Sequence, residues 1–170
     1  MAQYHDKEWG RVVRDSRELW ETLMLEGFQA GLSWQTVLHK REGFRSAFHS
    51  FDPKKVARMT QPDVERLMQD PKIIRARLKI IATIQGAKIF NEMEHKGEDF
   101  SAWVWALHGK QTKNVGPTPT ETEKSRDISK ALKKRGFKFV GPTIVYAWMQ
   151  AVGMVDDHSA ECFRRKSSAF

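Results

Sequence analysis

The sequence predicts an all-α protein, on three observations. Apolar residues recur three and four positions apart through most of the 170 residues. Ser, Asp or Pro stands at the start of most such runs, where a helix needs an acceptor or tolerates a missing amide. No stretch alternates with the period of two that a half-buried strand requires, and there is no internal repeat. The expected architecture is one domain over residues 1–170, with six to eight short helices in a compact two-lobed layout.

Asp15-Ser16-Arg17-Glu18 has the spacing of a capping box, and Leu19, Trp20, Leu23 and Met24 then mark one apolar face. Ser33 caps a run carrying Trp34, Val37 and Leu38, expected to stop near Gly43. Asp52-Pro53 is an N-cap with proline at the first helical position, followed by Val56 and Met59. Pro62 and Pro71 open two more helices in the same manner. The second is long, with Ile74, Leu78, Ile81 and Ile84 on its expected inner side. Residues 99–107 form a short aromatic helix bearing Trp103 and Trp105. Residues 111–124, with Pro117 and Pro119, read as the one loop of length. Ser125 then caps a helix ending at Gly136, and Pro142 starts another that runs to about Gly153.

Composition narrows the function classes. A hydrophobic fraction of 40% suffices for a packed core. No apolar run is long enough to cross a bilayer, and residues 1–10 lack the apolar stretch of a secretion signal. The single cysteine, Cys162, excludes an intrachain disulfide and suits a reducing compartment, so a cytoplasmic monomer is expected. With 29 Lys and Arg against 21 Asp and Glu, the net charge of +8 favours a polyanionic partner.

That charge concentrates beside a turn. In Leu132-Lys133-Lys134-Arg135-Gly136-Phe137-Lys138-Phe139-Val140-Gly141-Pro142, Gly136 supplies a left-handed helix stop. Gly141 permits close backbone approach, and Pro142 sets up the next first turn. Amides at that turn, with the helix dipole behind them, make a phosphate seat ringed by Lys134, Arg135 and Lys138. Residues 126–153 therefore have the layout of a helix-hairpin-helix element that grips DNA backbone without reading sequence. The alternative is an ordinary turn between helices with a basic surface.

Leu25-Glu26-Gly27-Phe28-Gln29-Ala30-Gly31-Leu32-Ser33-Trp34 places one acid at the end of an apolar helix, a glycine turn, and an indole. No basic residue lies within four positions of Glu26. A carboxylate and an indole converging across such a turn suit a flat cationic or electron-poor ring; otherwise Glu26 is a solvated helix end and Trp34 is core. Leu32, at the tip of the turn, either wedges into a gap in a partner or is buried at the start of the next helix.

His158 and Cys162 stand four apart, a separation that suits two ligands on one helical face, and His5 is a third candidate from the other end of the chain. His39, His49, His95 and His108 have no companion at metal spacing and are expected on the surface.

Taken together, Tyr4-His5-Asp6-Lys7-Glu8-Trp9-Gly10, residues 25–34, Phe51-Asp52-Pro53, Ile73-Ile74-Arg75, residues 129–141 and Asp157-His158 resemble the 3-methyladenine DNA glycosylase I family, within the helix-hairpin-helix glycosylase superfamily. The likeness runs over essentially the whole length. It implies a DNA repair hydrolase that removes 3-methyladenine from double-stranded alkylated DNA by extruding the base. A catalytically impaired DNA-binding member of the same fold is the alternative.

The resemblance also implies that Glu26 and Trp34 line the base pocket, with Tyr4 and Trp9 as further aromatic walls, and Glu26 is expected to be the catalytic residue. From the turn and the hairpin themselves, Leu32, Lys134, Arg135, Lys138 and Gly141 are expected to face the DNA. His5, His158 and Cys162 would bind a structural zinc; the family's fourth ligand, a cysteine before the Tyr-His-Asp block, has no counterpart here. Many members of the superfamily carry a catalytic aspartate beyond the hairpin. Asp157 stands in that region, but its neighbour His158 suggests a part in ordering the zinc site. No lysine occupies the position of a Schiff-base amine, so excision without strand cleavage is expected.

Overall fold

The computed structural model describes residues 1–164; the last six residues of the expected domain lie outside the described residues. Among the described residues the chain folds into α1 (Ala2–Lys7), α2 (Ser16–Gln29), α3 (Trp34–His39), α4 (Arg41–Ala47), α5 (Pro53–Ala57), α6 (Gln61–Leu67), α7 (Arg77–His95), α8 (Phe100–His108), α9 (Glu123–Arg135) and α10 (Pro142–Ala151). A 3₁₀ turn, His49–Phe51, lies between α4 and α5. The all-α expectation holds, and no described helix is long and apolar enough to cross a membrane.

The helices outnumber the expected six to eight because apolar runs break where backbone geometry requires it. The run from Ser33 ends at Lys40, and Gly43 lies inside α4 instead of stopping a helix. A Cβ at Gly43 would sit 2.3 Å from the Lys72 carbonyl oxygen, so this glycine serves a close approach. Pro71 opens no helix. Residues 71–76 are turn and irregular chain, and α7 begins only at Arg77. Its inner side is only in part the expected one. Ile84 is buried and Ile74 packs against the core as expected, but Leu78 is 70% exposed and Ile81 41%, and Ile80, Ala87 and Phe90 are buried in their place. Packing against α5 and α2 decided which face turned inward.

Two further boundaries moved. Thr122, not Ser125, caps α9, in a reciprocal pair in which each side chain accepts from the other's backbone amide. The expected loop over residues 111–124 contains a strand, β1 (Thr112–Lys113), paired in parallel with β2 (Val155–Asp156). Strands of two residues are too short to show alternation in sequence. His108 is also not on the surface: it is buried at the end of α8, with Nε2 2.9 Å from the Met154 carbonyl oxygen.

Helix α2 organises the core. Leu19, Trp20, Leu23 and Phe28 are almost fully buried, and α2 contacts α3 and α7 from the first half and α8 and α10 from the second. Phe28, Phe44, Phe48 and Phe51 form a continuous aromatic cluster. Full burial of each such side chain contributes about 1.5–3 kcal/mol. The Trp148 indole donates to the Leu19 carbonyl at 3.0 Å, fixing α10 against the start of α2. The N-terminal segment is then sewn onto the end of α10. The Gly10 amide donates to Ala151 and the Val13 amide to Val152, while Trp105 donates to the Val13 carbonyl. This stitching carries α1 to the mouth of a cleft.

Candidate functional site

A narrow cleft, with a cavity volume of about 70 Å³, opens between α1, α2, the start of α3, α4 and the end of α10. Leu25, Val13, Ala151 and Val152 give it apolar surface, and Tyr4 and Trp34 stand in its wall. Two ion pairs brace the rim. Arg41 grips Glu8 through two hydrogen bonds of 2.6 and 3.1 Å, holding the Glu8 carboxyl below its usual range. Arg45 donates to Glu21 at 2.8 Å. These four charges were not anticipated, because i,i+4 spacing is silent about partners 24 or 33 residues apart.

Glu26 is not a solvated helix end. It lies inside α2, 3% exposed, and its Oε2 has no hydrogen-bond partner. Burial alone pushes its pKa up from 4.5 to about 8. The neighbouring Tyr4 phenol is likewise raised, first by burial and then by the charges of Glu26 and Glu8. The Tyr4 and Trp34 rings stand 5.8 Å apart, tilted by 45°. A third ring between them needs two van der Waals gaps, about 7–8 Å in all. A planar ligand seated between the two rings therefore requires them to separate, whereas one stacked on a single ring does not. Ser33 accepts from the Thr36 amide, which starts α3 at the residue that aims Trp34 inward.

Trp9 packs on the imidazoles of His5, at 6.0 Å, and His158, at 4.7 Å; like Glu26, it is not among the residues that line the cleft. Those two histidines and Cys162 are brought together across the whole chain, with candidate ligand atoms all within 4.8 Å of one another. Cys162 Sγ lies 3.7 Å from His5 Nε2. His158 Nδ1 lies 2.8 Å from Asp156 Oδ1, the partner that orients a metal-binding imidazole and leaves Nε2 as its ligand atom. Two imidazoles and a thiol suit zinc. The orienting acid is thus Asp156 and not Asp157. Asp157 accepts from Tyr146 and Gln150 on α10 instead, and its Oδ1 is buried without a partner.

The hairpin between α9 and α10 has the expected backbone. Gly136 ends α9 in the left-handed region at φ 101°, and Gly141 with Pro142 starts α10. The Ser129 hydroxyl donates to the Val140 carbonyl at 2.6 Å and closes the hairpin. No side chain caps the first turn of α10, so its amides stay open to a ligand. Lys134 and Lys138 are exposed beside it. Arg135 is already engaged: both its terminal nitrogens donate to Glu98, and the guanidinium lies over the Trp103 ring at 4.6 Å. Leu32 is 43% exposed at the tip of its turn, which excludes the buried alternative.

Residues 1–165 match the sequence profile of the methyladenine glycosylase family. The chain is 52% identical over 164 residues to the DNA-3-methyladenine glycosylase of Haemophilus influenzae, covering 94% of this chain and 89% of that one. It is similar to a crystal structure of 3-methyladenine DNA glycosylase I at a TM-score of 0.93 and 51% identity, covering 95% and 92% of the two chains. A Staphylococcus aureus 3-methyladenine DNA glycosylase I, solved to explain 3-methyladenine recognition, matches at a TM-score of 0.90 and 37% identity, over 95% and 88%.

Proposed function

The chain belongs to the methyladenine glycosylase family and hydrolyses the N-glycosyl bond of 3-methyladenine in DNA, and we propose that Glu26, Tyr4 and Trp34 form the pocket that takes the extruded base. The observation that carries this reading is a buried carboxyl with an open oxygen beside Tyr4, whose ring in turn meets that of Trp34.

Alkylation at N3 makes adenine cationic and weakens its bond to the sugar. The base then leaves as a neutral molecule, and no general acid is needed. What remains is to extrude the base, recognise it and admit water to C1′. Extrusion costs a few kcal/mol, least for a damaged pair. Stacking on Trp34 returns roughly 1–3 kcal/mol, with a cation–π share for a charged ring.

Glu26 supplies the discrimination. At pH 7, removing the proton from a carboxyl with a pKa of about 8 costs about 1.4 kcal/mol. A charge-assisted hydrogen bond to a cationic base returns about 1.5–3 kcal/mol, which exceeds that cost. Normal adenine offers no such charge, and beside it Glu26 stays protonated. Selectivity thus comes from a carboxyl that ionises only for the right ligand.

The hairpin binds the backbone of double-stranded alkylated DNA through the α10 amides, Gly141, Lys134 and Lys138. Leu32 fills the space the extruded base leaves. Lys134→Ala and Lys138→Ala are each expected to weaken binding to methylated and unmethylated duplex alike. Each should reduce the salt slope of log K by about 1. A loss confined to methylated DNA would contradict a backbone grip.

His5, His158 and Cys162 would hold a zinc ion, whose contribution there is to cross-link the two ends of the chain. The function itself is tested by incubating the protein with methylated duplex. Free 3-methyladenine should appear with the strands intact. Binding without release would indicate a DNA-binding member of the fold, and strand nicking would overturn the prediction of simple hydrolysis.

A further inference from the structure

Lys79, in the first turns of α7, makes contacts that belong to two different DNA-facing elements. Its Nζ donates to the Phe28 carbonyl at 3.1 Å and to the Ala30 carbonyl at 2.9 Å. Those carbonyls end α2, the helix that carries Glu26, and begin the turn that carries Leu32. A cation at this end also opposes the negative pole of the helix dipole. The same ammonium lies 5.8 Å over the ring of Phe139, inside cation–π range.

Phe139 is an unusual residue in its place. It holds φ 57°, a left-handed conformation that side chains rarely adopt, and its ring is 37% exposed at the hairpin. Such a backbone persists only where the surroundings enforce it. The hairpin packs directly on α2 here: Gly27, the residue after Glu26, lies against Phe139, and a Cβ on it would make an ordinary contact with the Phe139 carbonyl oxygen at 3.4 Å. Lys79, Phe139 and Lys138 line one small cleft with Gly27 and Phe28.

We infer that Lys79 is a positioning residue that couples the α9–α10 hairpin to the turn at residues 30–32, so that seating the DNA backbone and inserting Leu32 act as one event. This rests on the reading of Leu32 as the wedge given above. Lys79 itself touches no reacting atom. Its effect is to set the height and angle of the turn relative to the hairpin.

A double-mutant cycle with 2-aminopurine placed beside an extruded base tests the coupling. Lys79→Met and Leu32→Ala should each lower the extrusion signal and kcat on duplex by about tenfold. The double variant should be no worse than the poorer single one, because both remove the same event. Binding of free 3-methyladenine, followed by tryptophan fluorescence, should be unchanged in Lys79→Met, and Lys79→Arg should restore most of the duplex activity. Additive losses overturn the coupling while leaving the wedge intact. A silent Leu32→Ala overturns the wedge and the coupling with it. Loss of free-base binding in Lys79→Met makes the lysine a part of the pocket scaffold and overturns the inference as well.

Discussion

Glu26→Gln is expected to lower excision of 3-methyladenine by roughly 10- to 100-fold at pH 8, the loss of one charge-assisted hydrogen bond in a buried site, while making the protein more stable at that pH. The two effects share one cause. The folded-state pKa of about 8 lies above the ordinary 4.5. Between those values the folded chain keeps a proton that the unfolded chain has lost, so stability falls as pH rises through the window from about 4.5 to about 8. Glutamine has no proton to lose and escapes that fall. The melting temperatures of the two proteins should therefore be similar near pH 5 and diverge towards pH 9, with the variant higher.

Activity responds in the opposite direction. For the wild type, kcat/KM should climb as pH approaches 8 and level off above it, because the ionised carboxyl is the partner of the cationic ring. The variant should lack that limb. Equal melting curves at pH 9, or an unchanged pH–rate profile in Glu26→Gln, would show that this carboxyl neither strains the fold nor meets the base.

Gly10→Ala is expected to destabilise the protein by about 3 kcal/mol, a fall of about 10 °C in melting temperature for a chain of this size. Gly10 holds φ +79°, and a Cβ would stand 2.4 Å from His158 Cε1. The imidazole has no easy retreat: it is 4% exposed, bound to Asp156 and packed on Trp9. Gly97→Ala is the control. Gly97 has the same φ of +79° with nothing within 4 Å of the added carbon, so it reports only the backbone contribution, about 1 kcal/mol. The difference between the two variants measures the displacement of His158. On the proposal that His5, His158 and Cys162 hold zinc, the zinc content of purified Gly10→Ala should fall below that of the wild type and of Gly97→Ala. Equal costs for the two substitutions would remove His158 from the account.

What was legible in the sequence divides by the range of the interaction. Gly136 and Pro142 fixed the hairpin because their effect on the backbone is local. Asp15, Ser33, Asp52 and Asp99 cap the helices they precede, for the same reason. Glu26 and Trp34 were visible as an acid and an indole around a glycine turn, but only the fold could bury the acid and shift its pKa. The inner face of α7 departs from expectation at Leu78 and Ile81 because Pro71 looks like a helix start, whereas Lys40 ties the Pro71 carbonyl into a turn from 31 residues away. The contacts of Trp9 with His5 and His158 have no local mark either, because they join residues at opposite ends of the chain. Asp156, and not the expected Asp157, faces the His158 imidazole, because adjacency in sequence says nothing of which carboxylate turns that way. The short sheet and the burial of His108 depend on residues 154–156, too distant from 108–113 to leave a local mark.

Helix α1 buries none of its own residues, so it behaves as a leaf fastened at its margins instead of a stone set in the wall. One margin is His5 against Cys162; the other is Glu8 under Arg41. Tyr4 lies between these fasteners and forms one jaw of the ring slot. Because no residue of this leaf is fully buried, moving the jaw gives up little core burial, an economy of motion that suits an enzyme that must inspect many bases and keep one.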